Sequence, residues 1–189
     1  MNSPNRTKLA LAGVLSLALF AAAAPTAFAQ MHGDPMVGGA AMYPSKTIVE
    51  NAVNSKDHTT LVAAVKAAGL VDTLSGPGPF TVFAPTNEAF DKLPKGTVAT
   101  LVQPENKPLL IKILTYHVVA GRYSAADLVK LARSGGSLTT VQGEPLKVSL
   151  DGRHLILTDA KGGTSMITIP NVFQSNGVIH VVDTVLMPD

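Results

Sequence analysis

The 189-residue chain has no cysteine and no tryptophan. Without cysteine there are no disulfides, no thiol nucleophile and no thiolate metal centre. Aromatic residues make up only 5 % of the chain, which leaves little material for a ligand site built on ring stacking. Charge of either sign is also scarce. The precursor carries 15 Lys and Arg against 13 Asp and Glu, but Arg6 and Lys8 belong to an N-terminal leader, and beyond it the two signs balance. The sequence pI of about 8.9 is therefore a property of the leader, and charge gives no support to non-specific binding of nucleic acid or an anionic membrane. The catalytic signatures are missing as well. There is no GxSxG elbow, no HExxH, no histidine pair at i, i+4, and no Walker or Rossmann glycine pattern. Gly135-Gly136 and Gly162-Gly163 read as loop glycines. After the leader no apolar run is long enough to span a bilayer.

Residues 1–29 read as a secretory signal peptide. Arg6 and Lys8 form the basic region, Leu9 to Ala24 is uncharged and apolar, and Ala27-Phe28-Ala29 fits the small-x-small cleavage rule. Cleavage leaves a chain expected to be soluble and exported, periplasmic or extracellular, held together by its core without disulfides. No cysteine follows the apolar run, so a lipoprotein anchor is excluded. Residues 30–44 are rich in glycine and methionine and read as a flexible arm. Met31, His32, Met36 and Met42 are soft-metal ligands in principle, but their irregular spacing and single histidine argue against a copper site.

From Ser45 the pattern is helical. Ser45 is the expected cap of a first helix bearing Ile48, Val49, Ala52 and Val53. Asp57 or Thr59 would cap a second, with Leu61, Val62, Val65 and Ala68 as its apolar stripe. Gly96–Leu101, Lys107–Leu114 and Ser124–Leu131 follow as helices, and Tyr116 to Val119 reads as extended. From Ser137 short strands take over: Ser137–Val141, Leu146–Leu150, His154–Thr158, Ser165–Val172 and Val178–Val182, with Asp151-Gly152 as a hairpin turn. The stretch from Gly78 to Phe90, GPFTVFAPTNEAF, is denser in information. Phe80, Val82 and Ala84 share one strand face and Thr81 and Phe83 the other, so the strand is expected to be covered on both sides. Pro85 ends the ladder and Thr86 caps a short helix.

This stretch resembles the first signature segment of the fasciclin domain. NGVIHVVDTVLMP, from Asn176 to Pro188, resembles the second, and ILTYHVV, from Ile113 to Val119, resembles the Tyr-His pair that the family carries between them. The resemblance spans about Ser45 to Asp189. It implies an α+β fold: a β-sandwich or wedge flanked by an N-terminal helical layer. It also implies a non-enzymatic protein of cell adhesion or matrix contact, with Tyr116, His117, Ile113, Leu114, Val118 and Val119 as the adhesion residues. The residues themselves favour another reading of that segment, in which His117 bonds backbone and the aliphatic side chains are core.

Two further readings stay open. Some fasciclin-domain proteins carry carotenoids, so an apolar carrier is the alternative, with Met36, Val37, Met42 and Tyr116 as ligand candidates. A module within a larger periplasmic assembly is the third. Catalysis finds no support: His180 and Asp183 are three apart on a strand and point to opposite faces, so the aspartate cannot orient the histidine. His58 and His154 read as isolated surface residues. No cofactor or metal is called for, and the partner is a protein or a cell surface.

Overall fold

A computed structural model describes residues 34–189. The expected leader, residues 1–29, together with Met31 and His32, lies outside the described residues. The described chain runs β1 Met36–Val37, β2 Ala40–Ala41, α1 Ile48–Ala52, α2 Thr59–Ala68, α3 Val71–Ser75, β3 Phe80–Pro85 and α4 Asn87–Asp91. It continues with α5 Thr97–Leu101, α6 Lys107–Tyr116, β4 Val118–Ala120, α7 Ala125–Arg133, β5 Ser137–Thr139, β6 Pro145–Asp151, β7 His154–Thr158, β8 Thr164–Gln174 and β9 Gly177–Val182.

Seven strands form one sheet in the order β4-β3-β9-β8-β7-β6-β5. Its ends meet: Val119 bridges Thr140, and the Val141 N–H donates to the Val118 carbonyl at 2.7 Å. The sheet thus curls into a barrel-like wall. The N-terminal helices pack against its outside, so the α+β architecture implied by the resemblance is the one observed.

Two adjacent strands explain how one wall serves two cores. β3 and β9 pair in parallel, from Phe80 opposite Gly177 to Pro85 opposite Val182. On β3, Val82 and Ala84 join the core beneath the helices, while Phe83 joins the core inside the curl. On β9, Ile179 and Val181 face the helices and Val182 faces inward. Strict alternation of apolar residues on both faces is what a strand buried on both sides requires. The parallel ladder starts at Gly177, where any Cβ would overlap the Phe80 carbonyl and crowd Ile48, so this position admits only glycine. The Asp151-Gly152 turn joins β6 and β7 as expected, with Gly152 at φ 58°.

Several expectations are corrected. The described part of the expected arm is not loose: β1 and β2 form a hairpin, and Val37 and Met42 are buried in the helical core. Burial of two apolar side chains, together with the Lys56 N–H bond to the Gly38 carbonyl, is enough to fix it. The first helix is capped by Thr47, not Ser45, in a capping box with Glu50. A 3-10 turn, Lys56–His58, leads into α2 in place of a side-chain cap. Tyr116 ends α6 rather than starting a strand. β8 runs longer than expected, with register shifts between Ile167 and Val172 where Asn171 takes φ 61°. That bulge lets the Asn171 side chain accept the Ala125 N–H at the start of α7.

Candidate functional site

The Tyr-His segment lies inside the molecule. Tyr116 is wholly buried within the curl; its hydroxyl donates to the Pro145 carbonyl and accepts the Ala160 N–H, both at 3.0 Å. Burial pushes its phenol up to about 12. His117 is equally enclosed. Its Nδ1–H donates to the Ile113 carbonyl at 2.9 Å, and its Nε2 accepts the Leu186 N–H at 3.0 Å, tying the end of α6 to the C-terminal segment. The Leu186 donor fixes the tautomer, because Nε2 must be unprotonated to accept. Ile113, Leu114, Val118 and Val119 are buried too. All six adhesion candidates are therefore buried in this fold, where they pack and, for Tyr116 and His117, hydrogen-bond to backbone.

Tyr116→Phe is expected to lower stability by about 1 kcal/mol, because the part-buried bonds to the Pro145 carbonyl and the Ala160 N–H are lost. Urea unfolding at pH 7 with an unchanged m-value would measure it.

His180 does not meet Asp183. Its Nε2–H donates to the Tyr123 carbonyl at 2.8 Å, its ring stacks on Phe83, and Asp183 accepts the Met166 N–H instead. Desolvation lowers the pKa of His180 against the pull of the Tyr123 carbonyl. His154 is exposed, but His58 is not: contrary to expectation it is buried at the entry to α2. Its Nδ1 lies 2.9 Å from the Ser55 hydroxyl, and its Nε2 has no hydrogen-bond partner. Among the described residues no cluster of three or more His, Asp or Glu is arranged to hold a metal.

His58 borders a largely enclosed cavity. This slit lies between the helical layer and the sheet. Ile48, Val49 and Ala52 of α1, Leu61, Val62, Val65 and Lys66 of α2, and Val71 and Leu74 of α3 form one wall. Val82 and Ala84 of β3 and Ile179 of β9 form the other, and Val37 and Met42 of the hairpin lie across it. Its lining is almost wholly apolar, and it encloses about 50 Å³, against the several hundred of a typical ligand pocket. Of the four apolar-ligand candidates, the structure brings Val37 and Met42 to this slit. Met36 points to solvent, and Tyr116 belongs to the other core.

Sequence reasoning missed His58 and Asn176. The Asn176 side chain accepts the Ile48 N–H and donates to the Leu74 and Gly76 carbonyls, so one residue joins β9 to α1 and α3. Nothing local marks Asn176, whose partners are about a hundred residues away in sequence, and the burial of His58 comes from distant elements although its Ser55 partner is local.

Comparison with known proteins agrees with this geometry. The family model described as "Fasciclin domain" matches residues 56–188. The chain is 44 % identical over 188 residues to Protein sll1483 of Synechocystis sp., covering 97 % of this chain and 98 % of that one. It is 36 % identical over 164 residues to Cell surface glycolipoprotein MPB83 of Mycobacterium bovis, covering 87 % of this chain and 65 % of that one. Among solved structures, a FAS1 domain pair from the insect cell adhesion molecule fasciclin I superposes with a TM-score of 0.68 at 21 % identity, over 76 % of this chain and 51 % of that one. No helix among the described residues is long and apolar enough to cross a membrane. With the strands of its two signature segments paired in parallel and a family match over most of its length, the chain belongs to the fasciclin-domain family.

Proposed function

We propose that this is an exported, non-enzymatic contact protein that attaches to a protein partner or a cell surface, in the periplasm or outside the cell. The observation that carries the reading is where the apolar side chains are exposed. With the Tyr-His segment inside, contact falls to the outer surface, and Met36, Tyr43 and Val53 stand out to solvent within one short stretch of chain. Methionine and tyrosine are favoured interface residues. His117 and His180 of the signature segments have both ring nitrogens engaged with backbone groups, which argues against either acting as a general base. A relative named as a cell-surface glycolipoprotein supports the surface setting. One domain offers one contact, so strong attachment requires many copies displayed together.

The test is cell attachment to surfaces coated with wild-type protein or with the triple variant Met36→Ser, Tyr43→Ser, Val53→Ser. Attachment is expected to drop about tenfold, the loss of one modest interface anchor, with thermal unfolding close to wild type. Equal attachment by a folded triple variant would end this assignment of the contact surface.

A second reading is favoured by the slit: carriage of an apolar small molecule. At about 50 Å³ it does not hold a carotenoid as it stands, so a bulky pigment would need the hairpin to lift away. The absorption spectrum and organic extract of protein purified from its native source test for such a passenger. A near-stoichiometric visible band supports a pigment; an empty extract removes it.

A further inference from the structure

The short loop from Gly121 to Ser124, between β4 and α7, is held by side chains of three strands. The Thr81 hydroxyl of β3 donates to the Gly121 carbonyl at 2.7 Å and accepts the Tyr123 N–H at 2.9 Å. His180 of β9 donates to the Tyr123 carbonyl at 2.8 Å, and Asn171 of β8 accepts the Ala125 N–H at 2.7 Å. Thr81 and His180 are themselves wholly buried, polar groups inside the fold whose bonds serve this loop. Arg122 adds a tie of its own: its Nη2 donates to the Gln174 and Ser175 carbonyls at 3.0 and 3.2 Å. Gly121, at φ 105°, lets the Tyr123 ring lie against its backbone, where a Cβ would stand 3.1 Å from the ring. A loop fixed in this way is preorganised, and the side chains it presents lose little freedom on binding.

Those side chains line a groove. Arg122 and Tyr123 lie on the loop, and Asp127, Lys130, Leu131 and Ser134 belong to α7 and its cap. The last four recur at the three- and four-residue spacing that defines one helix face. The groove is open to solvent and holds about 540 Å³, within the range of ordinary binding sites. Neither Arg122 nor Lys130 has an ion-pair partner among the described residues. The carboxylate of the groove, Asp127, is turned onto its own cap, where it accepts from the Ser124 N–H and hydroxyl. Two cations are thus left available, with the Tyr123 ring and Leu131 as the apolar part between loop and helix.

We propose that this groove binds an acidic peptide segment of a partner protein, its carboxylates on Arg122 and Lys130 and an aliphatic side chain on Tyr123 and Leu131. The two carbonyl bonds use only part of the Arg122 guanidinium, and its remaining N–H groups serve a carboxylate. Leu131 and the tyrosine ring call for an aliphatic group beside the carboxylates, which a peptide supplies and an acidic polysaccharide does not. The inference rests on the contact reading for the class of partner, but the groove shares no residue with the surface of Met36, Tyr43 and Val53.

Fluorescence anisotropy on the mature protein tests it, with a short labelled peptide in which glutamate alternates with leucine. Replacing each glutamate of the probe by glutamine is expected to weaken binding about tenfold, the scale of two exposed ion pairs. Replacing each leucine by serine should weaken it about five-fold through lost apolar contact. Arg122→Gln is expected to cost about five-fold and Lys130→Gln about threefold. Lys161→Gln, exposed and outside the groove, should leave the affinity unchanged, as should the Met36, Tyr43 and Val53 triple variant. If Arg122→Gln fails to fold, the comparison of Lys130→Gln with Lys161→Gln still decides. An equal loss from those two would mean attraction by overall charge and would overturn the groove assignment. Displacement of the peptide by an oligomannuronate that binds more tightly would overturn the peptide class in favour of an acidic polysaccharide. No binding of the glutamate–leucine peptide overturns the inference outright, while cell attachment through the Met36, Tyr43 and Val53 surface is decided by its own assay.

Discussion

Titration from pH 7 to pH 4 is expected to cost this protein about 3 kcal/mol through His117 alone. Burial drives the pKa of His117 down from the ordinary 6.5 to about 4, against opposing pulls from the Ile113 carbonyl and Asp159. The native state therefore keeps the imidazole neutral at pH values where the unfolded chain has already taken up the proton. More protons on the unfolded state means stability rises with pH, so the contribution is intact above about pH 6.5 and is lost as pH falls toward 4. The bond geometry says what fails: a proton on Nε2 displaces the Leu186 N–H, and the C-terminal segment loses its tie to α6. His180 and His58 are shifted in the same direction by burial and add to the loss. Carboxylates act in a lower window. Glu50, Asp127 and Glu144 are held below the usual range chiefly by the Thr47 N–H, the Ser124 hydroxyl and the Asp189 N–H, and they release their contribution only below about pH 4.5. Urea unfolding at pH 7, 5.5 and 4.5 separates the two windows. His117→Gln should be less stable at pH 7 and show a flatter profile above pH 4.5. A wild-type profile that is flat from pH 7 to 4.5 would contradict the burial of a neutral His117.

Asn176→Ala is expected to lose about 4 kcal/mol, a large share of the stability of an ordinary domain. The side chain makes three bonds, to the Ile48 N–H at 3.0 Å and to the Leu74 and Gly76 carbonyls at 2.8 and 2.9 Å. Removing it leaves one buried donor and two carbonyls without partners at the junction of α1, α3 and β9, and each unmade buried bond costs about 1 to 3 kcal/mol. The losses are less than additive because one cavity replaces all three contacts and water can enter it. Asn176→Asp keeps the acceptor for Ile48 but sets a carboxylate against two carbonyls. It should be as damaging at pH 7 and partly recover at acid pH, when the protonated group donates once. Urea midpoints with an unchanged slope measure both variants. A loss under 1 kcal/mol for Asn176→Ala would show that the junction is held by packing instead.

The regular elements were legible because their signals are local. Alternation along Phe80–Ala84 predicts a strand buried on both faces, and β3 is one, with Val82 and Ala84 on one core and Phe83 on the other. Thr86 caps α4, Ser124 caps α7 and Gly152 turns the β6–β7 hairpin for reasons contained within a few residues of each. The misplacements were also local. Thr47 competes with Ser45 for the first cap and wins because Glu50 stands three residues after it. Residues 116 and 117 carry strand-like neighbours, yet Tyr116 completes the last turn of α6 and His117 follows it as the cap.

The sequence by itself determined the fold, the leader-like N-terminus as an expectation, and the lack of a catalytic motif, because periodicity, capping residues and fixed spacings act between near neighbours. Only the tertiary structure decided which side chains face inward. Tyr116 and His117 are buried because the sheet closes on itself between Val119 and Thr140, a contact set by strand order rather than by their own segment. Val37 and Met42 leave the solvent because a hairpin folds back onto α1 and α2. His58 is buried because helices and strands from across the chain enclose it. Burial and hydrogen-bond satisfaction are properties of the assembled neighbours, and no window along one chain contains them.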